Sequence, residues 1–237
     1  RGLGDVYKRQ EHIPLQQLTG EQGFMGLTFS VNEHVLIPRQ DTEILVEEVL
    51  KELHDGMRVL DMCTGSGCIL LSLLHYSNDC EGLGVDLSAE ALEVAGRNVL
   101  KVLTPEKAEH AHFLQSNLFE KVEGKFEIIV SNPPYIASAE VEKLMPEVRD
   151  HEPRMALDGT EDGLYFYRRI IEEAGKHLVS SGMLFFEIGY DQGQAVSELM
   201  RTEGYCDVQV VQDYAGLDRV VFGTYVTVQP APFAKSR

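Results

Sequence analysis

The chain has few basic residues, and this shortage argues against one large class of function. Its 237 residues include 21 Lys and Arg against 38 Asp and Glu, so the formal net charge is −17. A protein that holds bare duplex DNA by its phosphates needs a concentrated face of Lys and Arg. The acidic balance therefore disfavours direct nucleic acid binding. It suits a merely soluble enzyme or one with basic protein partners.

Patterned cysteines, clustered histidines and long apolar runs are also missing. The cysteines (Cys63, Cys68, Cys80 and Cys206) form no CxxC pair, and the eight histidines show no ligand spacing such as HxxxH. We interpret the cysteines as small buried apolar groups in a reducing compartment, and we expect no metal. No apolar run approaches the length that spans a bilayer, and nothing at the start resembles a signal peptide. The sequence thus predicts a cytoplasmic protein without a membrane segment.

Strand and helix patterns alternate through most of the chain after residue 56. Strands are predicted at 57–62, 82–86, 112–115, 126–131 and 183–188, and helices at 68–75, 89–101, 163–178 and 192–203. Two closing strands, 206–212 and 219–225, follow each other without a helix. Repeated βα units predict an α/β fold with a doubly wound, mostly parallel sheet and helices on both faces. The last two strands allow an antiparallel edge.

The segments that flank this alternation have other patterns. Glycines among apolar residues at 22–38 predict a β-hairpin, and 41–53 predicts an amphipathic helix capped by Asp41 or Thr42. Ser88 is the expected cap of the helix at 89–101. The predicted divisions are a frayed or non-native end at 1–13, a small leading region at 14–40, a main domain at 41–226 and a flexible tail at 227–237.

A glycine-rich turn lies between the first strand of this alternation and its helix, in VLDMCTGSGCI (59–69). Gly65 and Gly67 would let backbone N–H groups approach a ligand, but Leu70 replaces the third glycine of the dinucleotide fingerprint. Asp86 ends the next strand, where an acidic side chain can accept both ribose hydroxyls. Together these residues favour S-adenosylmethionine over NAD. A ligand-free turn and an N-capping or solvated Asp86 are the structural alternatives.

The tetrapeptide Asn132-Pro133-Pro134-Tyr135 follows the apolar run FEIIVS and is suited to hold a planar NH2 group. The Asn132 side-chain oxygen and the Pro133 carbonyl are two acceptors that can converge on the two hydrogens of one amide or amino nitrogen. Tyr135 can then cover the flat face of that group. The structural alternative is a strand-ending turn, because Asn-Pro commonly begins turns.

DxxTGSG from Asp61, the strand end VDLS and the later SNPPY together resemble class I S-adenosylmethionine-dependent methyltransferases that act on amide or exocyclic nitrogen. Within that group, the chain is similar to the peptide-chain release factor glutamine N5-methyltransferases in LIPRQDTE (36–43), VSNPPYI (130–136), VRDHEPRMALDGTEDGL (148–164) and DYAGLDRVVFGTY (213–225). The resemblance implies a seven-stranded, Rossmann-like sheet preceded by a β-hairpin. It also implies methylation of the glutamine in the Gly-Gly-Gln motif of class 1 release factors.

The resemblance implies residue roles and a setting as well. The implied cofactor-binding residues are Asp61, Cys63, Thr64, Gly65, Ser66, Gly67, Asp86, Leu87, Asn117, Leu118 and Asn132, and the implied catalytic residues are Asn132, Pro133, Pro134 and Tyr135. Phe24 or Phe29 from the hairpin would pack on the glutamine. The implied protein is a cytoplasmic monomer that serves translation termination, with a release factor as its partner.

The chain departs from the family pattern in three places. Members carry a helical N-terminal domain that helps to hold the release factor, and here only EHIPLQQLTG (11–20) resembles it. We therefore expect an N-terminally truncated chain with weaker substrate binding, in which 14–40 is the last part of that region. Gln40 replaces a proline, which loosens a turn. Asn117 stands where the family has an acidic residue, and its amide oxygen can still accept from adenine, which predicts a weaker contact.

Several alternatives stay open at this point. His151, Glu152 and Arg154 are interpreted as solvated loop charges, with substrate binding as the other possibility. Glu187 is either an orienting group or a satisfied structural carboxylate. The competing functions are an adenine N6-methyltransferase on DNA or RNA, which would flip its base out, a glutamine methyltransferase of a ribosomal protein, and a binding module without catalysis.

Overall fold

The structure is a computed structural model that describes residues 12–226. Residues 1–11 and 227–237, to which the predictions of a frayed end and a flexible tail mainly apply, lie outside the described residues. Within 12–226, no helix is both long enough and apolar enough to cross a membrane.

Strands and helices alternate as the sequence predicts. The strands are β1 (Glu21–Phe24), β2 (Leu27–Ser30), β3 (Arg58–Met62), β4 (Glu81–Asp86), β5 (Ala111–Gln115), β6 (Phe126–Ser131), β7 (Leu178–Glu187), β8 (Tyr205–Gln212) and β9 (Asp218–Tyr225). The α-helices are α1 (Leu15–Thr19), α2 (Gln40–Glu52), α3 (Cys68–Tyr76), α4 (Ala89–Val102), α5 (Pro105–Ala108), α6 (Ser138–Val141), α7 (Pro146–Arg149), α8 (Arg154–Leu157), α9 (Tyr165–Ala174) and α10 (Gly193–Thr202). A 3-10 turn covers Leu118–Lys121.

The seven-stranded sheet has the order β5-β4-β3-β6-β7-β9-β8, and β1 and β2 form a separate antiparallel hairpin. All neighbours are parallel except β9, which runs antiparallel to both β7 and β8. The chain therefore builds outward from β3 through β4 and β5, and then returns to place β6 on the other side of β3. Such a reversal opens a crevice at the carboxyl ends of the two strands, where ligands of doubly wound sheets bind. The α/β fold and its antiparallel edge are confirmed.

The core lies on both faces of this sheet, since its central strands are apolar on both sides. One cluster packs α2 and α3 against the sheet, and the other packs α9 and α10 on the opposite face. Phe24 and Phe29 of the hairpin belong to the first cluster, are 1% and 0% exposed, and meet edge to face at 6.0 Å. The expectation that one of them packs on a glutamine substrate is therefore wrong. Both rings anchor the hairpin to the core.

Two predicted boundaries are wrong in the same place. The predicted helix at 163–178 ends at Ala174, and β7 begins at Leu178 instead of residue 183. Leu178 pairs with Phe126 of β6 and is buried. An apolar residue at the end of a helical pattern fits a buried strand equally well, so periodicity alone could not separate the two elements.

Two local predictions also need correction, and a third is confirmed. Neither Asp41 nor Thr42 caps α2, because the helix begins at Gln40, and its N-cap residue, Arg39, makes no side-chain cap bond. Ser88 does cap α4, with its Oγ accepting from the Ala91 N–H at 3.1 Å. The interpretation of the cysteines as buried holds for Cys68 and Cys80, whereas Cys63 is only partly buried and Cys206 is exposed on β8 near the sheet edge.

Candidate functional site

A cavity of about 220 Å³ opens at the carboxyl ends of β3 and β6. The glycine-rich turn after β3, the end of β4 and the loop after β5 line one side of it. The start of the segment after β6 and two loops, at 34–39 and 153–158, line the other. The cavity therefore lies where the order of the sheet predicts a ligand.

Asp61, at the end of β3, holds the glycine-rich turn through hydrogen bonds to the turn and to the first turn of α3. Its buried carboxylate accepts from the Thr64 hydroxyl at 2.6 Å and from the Leu70 N–H at 3.3 Å, while its Oδ1 has no hydrogen-bond partner among the described residues. Burial raises the pKa of Asp61 to about 7. Gly67, the N-cap residue before α3, has a φ of 77°, and a Cβ there would lie 3.2 Å from Ala95 and Leu71. The turn is thus fixed both by a carboxylate and by a position that requires glycine.

Asp86 reaches the cavity from the end of β4. Its Oδ2 accepts from the Gly65 N–H at 2.9 Å, and its Oδ1 accepts from the Ser88 N–H at 3.0 Å. Burial raises the pKa of Asp86, and these backbone bonds oppose that shift. Each oxygen keeps lone-pair capacity for a further donor, so the carboxylate can hold a pair of hydroxyls.

Asn132 enters the cavity from the opposite side, directly after β6. The strand end is fixed by Ser131, whose hydroxyl donates to the Met62 carbonyl at 2.6 Å. Asn132 Nδ2 donates to Thr42 Oγ1 on α2 at 3.4 Å. With its NH2 directed at Thr42, the Asn132 amide has its carbonyl oxygen free to accept from a bound group.

Tyr135 lies behind Asn132 and is braced from three sides. Its hydroxyl donates to Glu187 Oε1 at 3.3 Å, and burial raises the pKa of Tyr135. Its carbonyl accepts from Gln192 Nε2 at 3.0 Å. Its backbone also packs against Gly159 and Gly163, where a Cβ would meet the Tyr135 backbone in forbidden contacts. These contacts fix Tyr135 in place at the end of the tetrapeptide.

The structure gathers most of the predicted site residues around this cavity. Those that line it are Cys63, Thr64, Gly65, Ser66, Asp86, Leu87, Asn117, Leu118, Asn132 and Pro134. Four others, Asp61, Gly67, Pro133 and Tyr135, are not among the residues that line it. Asn117 directs its Nδ2 to Glu120 Oε1 at 2.6 Å, which leaves its amide oxygen as the available acceptor.

Glu152 was expected to be a solvated loop charge, and this expectation is wrong. Its side chain is 1% exposed, forms an ion pair with Arg39, and accepts from the Ile37 N–H at 3.2 Å. Burial raises the pKa of Glu152, and the Arg39 charge is the largest effect that opposes the shift. Glu152 therefore ties together the two loops that line one side of the cavity. Nothing local in HEPR distinguishes such a carboxylate from an exposed one.

Sequence reasoning also missed Thr42 and Gln192 as parts of the site. Thr42 was considered only as a helix cap, yet it is 2% exposed and contacts Asn132. Gln192 joins the carbonyls of Tyr135 and Gly163 and accepts from the Gly189 N–H. Thr42 lies within LIPRQDTE, but its contact with Asn132 joins residues 90 positions apart, and Gln192 belongs to no motif named above.

The cavity has groups that fit an adenosine-bearing amino acid. The unpartnered Asp61 Oδ1 beneath the turn is an acceptor for an ammonium group, and Asp86 can accept from a diol. The half-exposed Leu87 and the buried Leu118 provide apolar surface for a flat ring. Among residues 12–226, no group of three or more His, Cys, Asp or Glu is placed to hold a metal ion.

Comparisons with known proteins indicate the family to which the chain belongs. The methyltransferase small domain family matches residues 39–148. A release factor glutamine methyltransferase of Clostridium acetobutylicum is 45% identical over 220 residues, covering 91% of this chain and 76% of the relative. The release factor glutamine methyltransferase of Thermodesulfovibrio yellowstonii is 42% identical over 221 residues, and the alignment covers 91% of this chain and 78% of that relative.

A solved structure adds evidence on the fold alone. A methyltransferase from Pyrococcus furiosus superposes with a TM-score of 0.62 over 93% of this chain and 99% of that protein, at 18% identity. The likeness of the whole chain therefore extends beyond the segment matched by the family model. On the extent and identity of its relatives, this chain belongs to the release factor glutamine methyltransferase family.

Proposed function

We propose that the chain transfers a methyl group from S-adenosylmethionine to the side-chain amide nitrogen, N5, of the glutamine in the Gly-Gly-Gln motif of class 1 peptide-chain release factors. One observation carries this proposal. The Asn132 amide is turned by Thr42 so that its carbonyl oxygen is free at the cavity, on the side opposite Asp86. A hydrogen-bond acceptor thus stands across the cavity from the predicted cofactor residues.

The residues on the Asp86 side would hold the cofactor. Asp86 would accept from the ribose hydroxyls, Asp61 Oδ1 from the ammonium group, and Asn117 with Leu118 would contact the adenine. S-adenosylmethionine, when bound, supplies a methyl group on a positively charged sulfur. The free Oδ1 and the two bonds that hold Asp86 in place support this assignment.

The residues on the Asn132 side would activate the acceptor by holding it. An amide nitrogen is a poor nucleophile because its lone pair is delocalised into the carbonyl. If Asn132 Oδ1 and the Pro133 carbonyl each accept one of its hydrogens, the lone pair is directed at the methyl carbon. These two contacts strengthen as positive charge develops on the nitrogen. The scheme needs no general base, because the proton can leave to water afterwards.

The other functions fit less well. An adenine amine would offer the same two hydrogens, but a chain with a net charge of −17 is poorly suited to hold a nucleic acid. A ribosomal protein glutamine remains chemically equivalent to a release factor glutamine, and the names of the relatives favour the release factor. We further propose that the protein acts as a cytoplasmic monomer in translation termination.

Transfer of label tests the proposal. The chain is incubated with methyl-labelled S-adenosylmethionine and, separately, with a release factor, a ribosomal protein fraction and unmethylated DNA. We expect label on the release factor alone, and none on a release factor whose Gly-Gly-Gln glutamine is changed to alanine. Label on that variant, on the ribosomal fraction or on DNA would contradict the acceptor assignment and leave the family membership unchanged.

A further inference from the structure

Arg39 is a cation in the wall of the cavity to which the proposed chemistry gives no task. It is the N-cap residue of α2, and its carbonyl accepts from the Thr42 N–H at 3.2 Å. Thr42 contacts Asn132 at 3.4 Å, so Arg39 lies one helical turn from the contact that orients Asn132. The Arg39 side chain is 41% exposed, so it can be reached from solvent as well as from the cavity. Arg39 therefore lies at the mouth of the cavity, on the Asn132 side.

Glu152 fixes the Arg39 guanidinium through direct hydrogen bonds. One oxygen of its buried carboxylate accepts from an Arg39 N–H, and the other accepts from the Ile37 N–H at 3.2 Å. Both partners can only donate, so both oxygens act as acceptors, and neither partner can receive a proton from Glu152. The ionised carboxylate therefore fits these contacts. Burial raises the pKa of Glu152, and the Arg39 charge is the largest effect that opposes the shift.

The segment that carries Glu152 is itself anchored. Gln17 on α1 donates to the His151 carbonyl at 2.6 Å, and the Glu152 N–H donates to the Val148 carbonyl at 3.1 Å. Glu152 thus holds Arg39 from a fixed backbone. A long side chain that is free in solvent loses rotamer freedom when it binds a partner. The ion pair with Glu152 restricts the Arg39 side chain before any partner arrives, which lowers this cost.

Arg39 keeps donors available for a further partner. A guanidinium presents several N–H groups in a planar fork, and within residues 12–226 the Arg39 side chain donates to Glu152 alone. The proposed acceptor segment, Gly-Gly-Gln, has no side chain other than that of the glutamine. Its other hydrogen-bonding groups are main-chain N–H and carbonyl groups, and a guanidinium can pair only with the carbonyls.

We infer that Arg39 binds the substrate by donating to a main-chain carbonyl beside the acceptor glutamine, and that Glu152 is the positioning residue that holds Arg39 for this contact. This inference rests on the proposed function and deepens it, because it gives the site a way to recognise glycines that have no side chains. The contact lies away from the reacting nitrogen, so it is equally strong before and during methyl transfer. Losing such a contact raises KM and leaves kcat nearly unchanged.

Three variants and a matched control pair test this assignment. Arg39→Gln removes the charge and the fork, Arg39→Lys keeps only the charge, and Glu152→Gln keeps the side-chain shape but turns an NH2 group toward one of two donors. Glu127 is the control, because it also accepts from a backbone N–H and a guanidinium, both of Arg58, at the amino ends of β3 and β6. Each variant is assayed for kcat and KM with the release factor, for cofactor affinity by calorimetry, and for its thermal midpoint.

The expected pattern is a rise in KM for the release factor with little change in kcat or cofactor affinity. Arg39→Gln should raise KM by about 10- to 100-fold, the usual effect of losing a hydrogen bond from a charged donor, and Arg39→Lys should recover only part of this. Glu152→Gln should raise KM by about 2- to 10-fold, the cost of ordering one flexible side chain on binding. Combined with Arg39→Gln it should add nothing, because Glu152 acts through Arg39. Arg58→Gln and Glu127→Gln should keep the wild-type KM.

Several outcomes overturn the inference. A wild-type KM in Arg39→Gln does so, as does a loss of cofactor affinity that equals the rise in KM, and an equal rise in Arg58→Gln would reduce the effect to net charge. Additive effects in the double variant would remove the positioning role of Glu152. If Glu152→Gln does not fold, the contrast between Arg39→Gln and Arg58→Gln decides the question, since both arginines are partly exposed. A wild-type protein that fails to label the release factor would defeat the proposed function and this inference together, whereas labelling with an unchanged KM in Arg39→Gln would defeat the inference alone.

Discussion

At the scale of single residues, Asn132 and Asp86 line the same cavity, and the proposed function gives them different tasks. Asp86 is held by two backbone N–H groups on the β4 side, and Asn132 by the Thr42 hydroxyl on the β6 side. No hydrogen bond links them directly within the described residues. Changes at one position should therefore separate binding from rate.

Asn132→Ala should lower the methylation rate by about 10²- to 10³-fold, the usual cost of losing one preorganised polar contact to the transition state. Cofactor affinity should be largely retained, because the loop and Asp86 are untouched. Single-turnover kinetics and calorimetry on the same preparation measure the two quantities. An Asn132→Ala variant that methylates at the wild-type rate would remove this residue from the chemistry.

Asp61 gives stability a pH dependence with a defined sign. Its pKa is raised from 3.8 to about 7 on folding, so between these values the folded state binds more protons than the unfolded state. Its contribution is therefore fully present below about pH 4 and is lost as the pH rises through 7. The resulting change in the free energy of unfolding is on the order of 4 kcal/mol, because the pKa of Asp61 rises by roughly three units on folding.

Asp61→Asn removes this titration. We expect urea unfolding to show a free energy of unfolding that falls more from pH 5 to pH 8 in the wild type than in the variant. The difference between the two proteins isolates Asp61, because Asp86, Glu152 and Glu187 have pKa values raised by burial in both. Parallel pH profiles would contradict the assignment.

At the scale of elements, the segment after β6 packs closely against the loop at 159–163. Gly159 lies against Tyr135, where a Cβ would be 2.8 Å from the Tyr135 Cα. Gly163 has a φ of 73° and touches the Tyr135 carbonyl. The loop at 159–163 thus serves as a template for the segment after β6, and we expect a change in this loop to disturb the proposed acceptor side of the cavity first.

Gly163→Ala tests this template, with Gly124→Ala as its matched control. Both glycines have positive φ, 73° and 86°, so both changes carry similar backbone strain, but a Cβ at position 124 would meet nothing within 4 Å. Gly163→Ala should cost about 1–3 kcal/mol more in the free energy of unfolding, because its Cβ overpacks the Tyr135 backbone. It should also lower kcat. Equal losses in the two variants, measured by urea unfolding, would show that strain alone is responsible.

The strands and helices differ in how well their bounds could be predicted from the sequence. Regular βα units have clear periodicity, and their strands and helices were predicted to within two residues except around Leu178. The short helices α6, α7 and α8 were missed, because four residues are too few to show a period. Motifs such as NPPY can be recognised from a few consecutive residues. Thr42 and Glu152 lie within segments that the sequence analysis quotes, but their contacts with Asn132 and Arg39 join residues far apart along the chain, and no local pattern predicts those contacts.

At the scale of the whole molecule, the cofactor should act as a structural ligand of the domain. The cavity is lined by the ends of β3 and β4, the segment after β6, and residues 34–39 and 153–158, so a bound molecule would contact elements that are far apart along the chain. A ligand that binds only the folded state raises its stability by mass action. The unfolding temperature is therefore a sensitive measure of which cofactor the chain accepts.

S-adenosylmethionine at 100 times its dissociation constant should stabilise the protein by about 2.7 kcal/mol. For a chain of 237 residues, this corresponds to a rise of roughly 5–10 °C in the thermal midpoint. NAD at the same concentration should have no effect, because Leu70 replaces the glycine that a pyrophosphate site requires at the start of α3. Asp86→Ala should weaken the binding of S-adenosylmethionine by about 1–3 kcal/mol, the cost of leaving polar partners unpaired. The rise in the thermal midpoint with S-adenosylmethionine should therefore be smaller in this variant. A rise with NAD, or an unchanged rise in Asp86→Ala, would exclude the adenosine site described for this cavity.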